Sequence, residues 1–511
     1  MPRVLSALDR TWLRRTASAV AAGLVVSCGF APVDQPWLMW PGLVLLVLAL
    51  RGATPALAAW LGWAFGTSFL LVLLNWVLLF EVPAAYVGLA AFEGLFYAGF
   101  GAVFAVLVRR RAWPLLGALA WMATEMLRSL LPFGGFPWGR LAFAAVDTPL
   151  ASLARWLGVS ALSGAVFLTA ALVVWAFTRR SEEDRRVRRL LAGAASLAAV
   201  FGVAAVLPVG IAGEGRSMQV AVIQGDVPGT GAQWYGEQRE VLENHVRVTS
   251  QYAARVRAGE LPQPDLVLWP ENASDIDPIT DADAGRMIDG AARDVGAPIL
   301  IGAILDGPTD ETAYNASVVW DPVTGPGDQY VKQHLVPWGE YVPMRGFSEW
   351  LVPLLAEEVP RDMLSGDESG AVRVGEGVVG TMTCFDVVFD GLVRDAVLGG
   401  AEMLVVQTNN ATFTGTPQPE QQWQISRLRA IESGRYVAVP STNGISGVIG
   451  PDGSVQATAP VQQSAYLSEE VQAATSVTTG TRFGVWIERA SLLVVGVVLA
   501  VGTWRRKVRR R

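Results

Sequence analysis

Three side chains of complementary chemistry each close a short apolar run. Glu271 follows Leu266-Val267-Leu268-Trp269-Pro270, Lys332 follows Asp328-Gln329-Tyr330-Val331, and Cys384 follows Val378-Val379-Gly380-Thr381-Met382-Thr383. A thiol becomes a strong nucleophile once its proton is gone. A carboxylate can take that proton when burial raises its basicity. An ammonium can stabilise the oxyanion that forms when a carbonyl is attacked. Nucleophile, base and oxyanion donor are the parts needed for acyl transfer. Singly, each has an ordinary explanation. A buried cysteine packs as a small hydrophobe, a Pro-Glu pair opens a helix, and a lysine sits in water. His334, two residues past Lys332, leaves a Cys-His pair open as a rival.

Lys332 also stands out by usage. The chain has 40 Lys plus Arg, yet its only lysines are Lys332 and Lys507. Lys507 belongs to a basic terminal tail where either cation would serve. Lys332 lies in the middle of a folded region, where a compact ammonium has been kept against an arginine habit. Lysine is a point donor with a tunable pKa; arginine is a wide, permanently charged fork. The chain has 2 histidines and 2 cysteines, Cys28 and Cys384. That supports neither a disulfide framework nor a zinc site, and no metal or cofactor is expected.

These residues need rigid elements behind them. Strands are expected at Met218–Gly225, twice within 371–389 and at Met403–Gln407, with short apolar runs at Leu266–Pro270 and Pro298–Leu305. Helical spacing fits 236–258, 281–295 and 420–434, and Ile449–Ser454 reads as a hairpin. Strands alternating with helices indicate a layered α/β domain, in which reactive residues gather at strand ends. The segment 341–360 is rich in large apolar groups but broken by proline and glycine. It reads equally as a loop lying on lipid or one packed on its own domain.

Around this domain the chain is a membrane protein. Mean hydropathy is +0.35 and charged residues are 17%. Apolar blocks lie near 16–32, 37–50, 55–80, 84–108, 113–131, 158–178, 190–212 and 485–504. Most approach the roughly 20 residues that cross a bilayer. The 37–50 block is short, and alone it could be re-entrant. If it spans, the arginine clusters at 3–15, 51, 109–111, 179–189 and 505–511 all fall on one side, as the positive-inside rule favours. The expected organisation is a seven-span bundle over 1–212, an external domain over 213–484, and a last span with a basic tail over 485–511. Both termini are then cytoplasmic. Arg140, in the outer loop 132–149, is the exception to the charge bias. Glu125 and Arg128, one helical turn apart, are expected to pair. An Arg14-Arg15 run before Cys28 imitates an export signal, but the further spans make a first transmembrane helix the plainer reading. Residues 213–484 hold 36 Asp plus Glu against 16 Lys plus Arg. That acidity argues against a nucleic-acid partner.

The order Trp269-Pro270-Glu271, then Lys332 through Pro343, then Thr383-Cys384-Phe385-Asp386 resembles the nitrilase superfamily, whose members use a Glu-Lys-Cys triad on an αββα sandwich. Such a domain after several spans, with one more span behind it, looks like the bacterial apolipoprotein N-acyltransferase branch. The resemblance also covers Gln224 through Pro228 with Trp234, Phe136 through Gly139, Arg427 through Arg435, and Thr442 through Ser446. It implies Glu271 as base, Lys332 as oxyanion donor and Cys384 as nucleophile, supported by Glu340 and the Phe385 backbone. It places Trp234, Trp338, Tyr341, Asp386 and Asn409 around the substrate. Where the family commonly has Cys-Tyr-Glu, this chain has Cys384-Phe385-Asp386. The implied function carries an acyl chain from a phospholipid donor, through a cysteine thioester, to a diacylglyceryl-modified apolipoprotein acceptor. The implied location is the inner membrane, with the catalytic domain on the extracytoplasmic side, and the implied state a monomer. A membrane-anchored amidase is the alternative with the same triad. A transporter or scaffold is the alternative of another class.

Overall fold

The computed structural model describes residues 2–177, 183–209, 215–227, 239–353, 356 and 359–508. The chain divides into two compact units, one of Met1–Pro208 with Thr479–Arg511 and one of Val209–Thr478.

The first unit is helical. Helices at Pro2–Ser27, Met39–Leu50, Pro55–Leu73, Pro83–Leu107, Trp113–Arg128, Val159–Phe177, Glu183–Val206 and Thr479–Val508 stand where the apolar blocks stand. Among the described residues, 5 helices are long and apolar enough to cross a membrane. Met39–Leu50, with 12 residues, is shorter than a bilayer requires. Pro55 and Pro83 each open a helix at its first position, where the missing N–H costs nothing.

One expectation fails here. Glu125 and Arg128 do not pair. Arg128 Nε lies 3.0 Å from Glu93, and Arg128 also donates to the Tyr97 hydroxyl at 2.7 Å and to the Phe136 and Trp138 carbonyls. Glu125 instead lies 3.5 Å from Arg140 and accepts from Trp121 Nε1 at 2.8 Å. The segment around Arg140 is buried, and Arg140 is 1% exposed. It has a second carboxylate, Glu488, at 3.6 Å and a hydrogen bond to Ser160. A charge in an apolar bundle must be paired, and two carboxylates do so here.

The second unit is a sandwich of two sheets. The first sheet contains β1 (Ser217–Gln224), β2 (Leu266–Leu268), β3 (Ile299–Asp306), β4 (Thr312–Asp321), β5 (Gly325–Val331) and the short β6 (Asp362–Met363). The second contains β7 (Ala371–Val374), β8 (Gly377–Thr383), β9 (Met403–Gln407), β10 (Val437–Val439), β11 (Gly447–Ile449) and β12 (Val455–Thr458). β13 (Ala465–Gln472) returns to pair with β1. The orders are β13-β1-β2-β3-β4-β5 and β12-β11-β10-β9-β8-β7, parallel at the centre and antiparallel toward the edges.

Alternation explains the layers. In β1, Met218, Val220 and Val222 pack among residues of the second sheet such as Val405 and Val448. Ala221 and Ile223 point the other way, onto Leu242, Tyr252 and Ile288 of the Glu240–Arg257 and Ala282–Val295 helices. Both faces are buried, so these strands read as continuous apolar runs. The Ala282–Val295 helix buries Ala284, Ile288, Ala291, Ala292 and Val295, a single helical stripe. Asp281 caps it, accepting from Asp283 N and Ala284 N, and Gly296 ends it at φ 65. Asp390–Leu398 and Gln418–Ser433 cover the second sheet, completing the αββα order.

Candidate active site

Each reactive residue sits just past or at the end of a strand. Glu271 is three residues beyond β2. Its turn presses so close to β3 that a Cβ on Gly302 would meet Pro270 O at 2.3 Å and Glu271 Cα at 2.6 Å. Only glycine permits that approach. Lys332 directly follows β5, and its backbone N–H donates to Asn315 O on β4 at 2.9 Å. Cys384 directly follows β8 and opens a turn over Cys384–Val388. It has φ 49, a left-handed conformation that costs a non-glycine residue on the order of 1 kcal/mol or more.

The carboxylates and the ammonium form one buried cluster. Lys332 Nζ lies 3.2 Å from Glu271 Oε1 and 3.0 Å from Glu340 Oε1. Asn315 Nδ2 bridges the same two oxygens at 2.8 and 2.9 Å. The outer oxygens are held by main chain: Asn409 N donates to Glu271 Oε2 at 2.8 Å, and Val336 N to Glu340 Oε2 at 2.8 Å. Lys332 is 1% exposed and Glu271 4%. Burial alone would lower the Lys332 pKa, but the Glu271 and Glu340 carboxylates hold it well above the ordinary lysine value, so the ammonium stays charged.

Cys384 feels the same charges with the opposite result. Burial, and after it the Glu271 carboxylate, pushes the thiol above its ordinary range, while Lys332 pulls it down. The resting site therefore holds a thiol, with the Glu271 and Glu340 carboxylates and the Lys332 ammonium acting on it.

Asp386 carries no such freedom. It is fully buried. Its Oδ1 accepts from His334 N at 3.0 Å, and its Oδ2 from the Tyr330 hydroxyl at 2.8 Å and Thr383 N at 3.3 Å. Burial raises its pKa to about 6 against the pull of Lys332. These bonds tie the end of β5 to the cysteine turn. The His334 ring stacks on Phe389 with centroids 3.6 Å apart, and burial lowers its pKa to about 4. His334 is thus occupied with packing, and the groups acting on the thiol are Glu271, Lys332, Glu340 and Gln422. The Cys-His rival loses its geometry.

Of the remaining expected residues, Phe385 is buried against Phe389. Trp338 and Tyr341 share the loop of Glu340, with Trp338 N bonded to Tyr341 O at 2.8 Å. Asn409 reaches the site through its main chain, and its side-chain Oδ1 accepts from Ala411 N and Thr442 Oγ1 instead. Trp234 lies outside the described residues. Three residues have no counterpart in the sequence reading: Asn315, Tyr330 and Gln407. Gln407 Nε2 donates to Trp269 O at 2.7 Å, and its Oε1 accepts from Ser317 and Thr381. Asn315 and Ser317 share a β4 face with the buried Val319. A polar residue in phase with a buried stripe is the signal that marks them.

The chain resembles known proteins over nearly its full length. Residues 22–172 match the apolipoprotein N-acyltransferase N-terminal domain, and residues 219–479 match the carbon-nitrogen hydrolase family. An apolipoprotein N-acyltransferase of Mycolicibacterium smegmatis is 37% identical over 94% of this chain and 84% of that protein. The chain belongs to the apolipoprotein N-acyltransferase family. Another such protein, of Azotobacter vinelandii, is 30% identical over 94% of each chain. Among solved structures, an amidase of the nitrilase superfamily from Nesterenkonia, 19% identical, covers 55% of this chain and 99% of its own, with a TM-score of 0.39. Membership makes the chain an acyltransferase and assigns its second unit to the nitrilase-like, carbon-nitrogen hydrolase side of the family.

Proposed function

We propose that the chain transfers a fatty acyl group from a membrane phospholipid to the α-amine of a lipoprotein's N-terminal diacylglyceryl-cysteine. The observation that carries this reading is the charged Lys332 held between Glu271 and Glu340 beside the Cys384 thiol, in a chain with apolar helices of bilayer length. Glu271 takes the thiol proton as sulfur attacks the ester carbonyl. Lys332 and the Phe385 N–H stabilise the oxyanion. The carbonyl–oxygen bond breaks, the lysophospholipid leaves with the proton, and a thioester remains. The lipoprotein amine then attacks the thioester, an amide forms, and the proton returns to sulfur. Asp386 acts here by positioning the turn, while Trp338 and Tyr341 line the substrate path.

Both substrates keep their acyl chains in the bilayer, which gives the helical unit its purpose. The catalytic domain, 213–484, would work on the extracytoplasmic side of the inner membrane as part of a monomer. Past Glu340, Met344 and, on the short Arg345–Leu351 helix, Phe347 and Trp350 are 65%, 56% and 75% exposed. Large apolar groups at a surface suit the lipid headgroup level. The test is intact-mass measurement after mixing protein with phospholipid. An acyl adduct on Cys384, absent in Cys384→Ser and discharged by a diacylglyceryl-cysteine peptide, is expected. Discharge by water alone at the same rate would make the protein a hydrolase, and no adduct would sink the reading.

A further inference from the structure

The Thr479–Val508 helix lies on the outside of the helical unit and is long and apolar enough to cross a bilayer. One face is held by the bundle, where Thr481, Glu488, Ser491 and Val495 are buried. The opposite face carries Arg482, Trp486, Arg489, Leu493 and Val497, all exposed. Steps of three and four residues keep these five on one side of a helix. In a bilayer that side meets lipid, so its two arginines need an account.

Their depth follows from a neighbour. Glu488 accepts from Ser160 Oγ at 2.5 Å, and Ser160 is the second residue of the Val159–Phe177 helix. Arg489 is therefore level with the end of an adjacent span, away from the middle of the membrane. Length agrees with this. The Thr479–Val508 helix has 30 residues and rises about 45 Å, against roughly 30 Å of hydrocarbon, so about ten residues stand among headgroups. The Arg489 guanidinium lies over the Trp486 ring, 5.1 Å from its centroid, and so folds back toward Arg482 and out of the hydrocarbon.

Charge separates these arginines from others of the helical unit. Arg128 is buried against Glu93, and Arg140 against Glu125 and Glu488. Arg482 and Arg489 make no hydrogen bond or ion pair among the described residues. Glu488 is the one carboxylate in 479–504, and it faces inward. The basic run Arg505 through Arg511 follows the other end of the span. Unpaired cations at the end opposite to that run go against the usual charge bias of a membrane helix.

We infer that the Arg482–Trp486–Arg489 face binds an anionic phospholipid, with its phosphate between the two guanidiniums and its glycerol against Trp486. The two arginines are about 10 Å apart along the axis, a gap their side chains can close on one phosphate. Guanidinium donors suit phosphate oxygens. Leu493 and Val497 continue the same face below Arg489, where an acyl chain would run. A zwitterionic lipid brings its own cation beside the phosphate and matches two arginines less well. None of Glu271, Lys332 and Cys384 belongs to this face, which sits at the end of the span where the chain enters from the catalytic domain.

The inference rests on this helix being a span and not on acyl transfer, so binding is read on full-length Cys384→Ser protein in detergent. The probe is phosphatidylglycerol carrying a diazirine beside its glycerol, and photolabelling of the 479–504 peptide is mapped by mass spectrometry. Label is expected between Phe483 and Leu493, displaced by unlabelled phosphatidylglycerol. Phosphatidylcholine should displace it about fivefold less well, the factor one surface charge is worth. Arg482→Gln combined with Arg489→Gln should weaken binding by roughly thirtyfold, whereas Arg482→Lys with Arg489→Lys keeps the charge and most of the binding. Equal labelling in the double glutamine variant, or equal displacement by the two lipids, overturns the inference. Displacement by inorganic phosphate as readily as by lipid would make this a free-anion site and overturn the lipid as occupant. Should the double variant fail to fold, Arg489→Gln alone decides, with about a fivefold loss expected and an unchanged affinity overturning the site. A Cys384 that takes no acyl chain from phospholipid would defeat the proposed function and leave this binding result standing.

Discussion

Lys332 and Arg140 are both buried cations lying between two carboxylates, and they are held in different ways. Arg140 spreads a planar fork over Glu125, Glu488 and Ser160, drawing a loop and three helices of the membrane unit together. Arg128 does the same with Glu93, Tyr97 and two main-chain carbonyls. Arg429, in the catalytic domain, joins Asp390, Glu432 and the Val387 and Val388 carbonyls. In each case the guanidinium gathers acceptors from separate segments and fixes them. Lys332 touches only its two glutamates at hydrogen-bond distance among the contacts described, at 3.0 and 3.2 Å. A compact ammonium between two carboxylates keeps its charge without enclosing the space beside it. The chain uses the fork where segments are gathered and fixed, and under the proposed mechanism it uses the point donor where a reacting oxygen must find a partner.

Substitutions can break that contrast. The largest expected effect is that of Glu271→Gln, which should cut acyl transfer by roughly 10²–10⁴ as a lost general base. The same change should make the Cys384 thiol more acidic, because the Glu271 carboxylate raises it. Iodoacetamide profiles check this, and a thiol that becomes less acidic would contradict the assigned electrostatics. Next comes Lys332→Arg. The charge is kept, yet transfer should fall by about 10²–10³, nearly as far as in Lys332→Ala, because the fork overfills a point-donor site. Wild-type rates in Lys332→Arg would erase the distinction between the two cations.

The reverse exchange should have the reverse signature. Arg140→Lys removes fork donors from a buried cluster and should cost roughly 1–3 kcal/mol of stability. Thermal unfolding of the full chain in detergent would show it, with the Cys384 alkylation profile unchanged. The smallest effect concerns Asp386. Its folded pKa, about 6, lies above that of a free aspartate, so the native state retains a proton the unfolded chain releases. Stability from this group is full below about pH 4 and is lost as pH rises through about 6. The difference in thermal stability between wild type and Asp386→Asn should therefore change across that window and be flat above it.

Much of the catalytic domain was legible because its chemistry lies at the ends of apolar runs. β1, β2, β3, β8 and β9 bury both faces and announce themselves, and Glu271 and Cys384 come within three residues of such strands, while Lys332 follows β5, a mostly exposed strand at the sheet's edge. β13 was not legible. Ala465-Tyr466-Leu467-Ser468-Glu469-Glu470-Val471-Gln472 is an edge strand with only one fully buried residue, Val471, and its pairing with β1 depends on chain returning from far away. The ion pairs of the helical unit were hidden for a related reason. Spacing along one helix favours Glu125 with Arg128, but tertiary contacts with other helices and with the 132–149 segment decide the partners. Gln407 and Asn315 look like weak strand residues until segments far along the chain supply their acceptors, the Trp269 carbonyl for Gln407 and the Glu271 and Glu340 carboxylates for Asn315.

The main-chain bond from Asn409 to Glu271 Oε2, at 2.8 Å, has an evolutionary consequence. A donor that belongs to the peptide bond is inherited with the path of the chain and not with any one codon. Alanine scanning cannot see it, and sequence drift at 409 leaves it in place. Only proline, which has no N–H, deletes it outright. Half of the base's orientation is therefore shielded from point mutation. A position that tolerates many side chains and rejects proline would be its genetic trace.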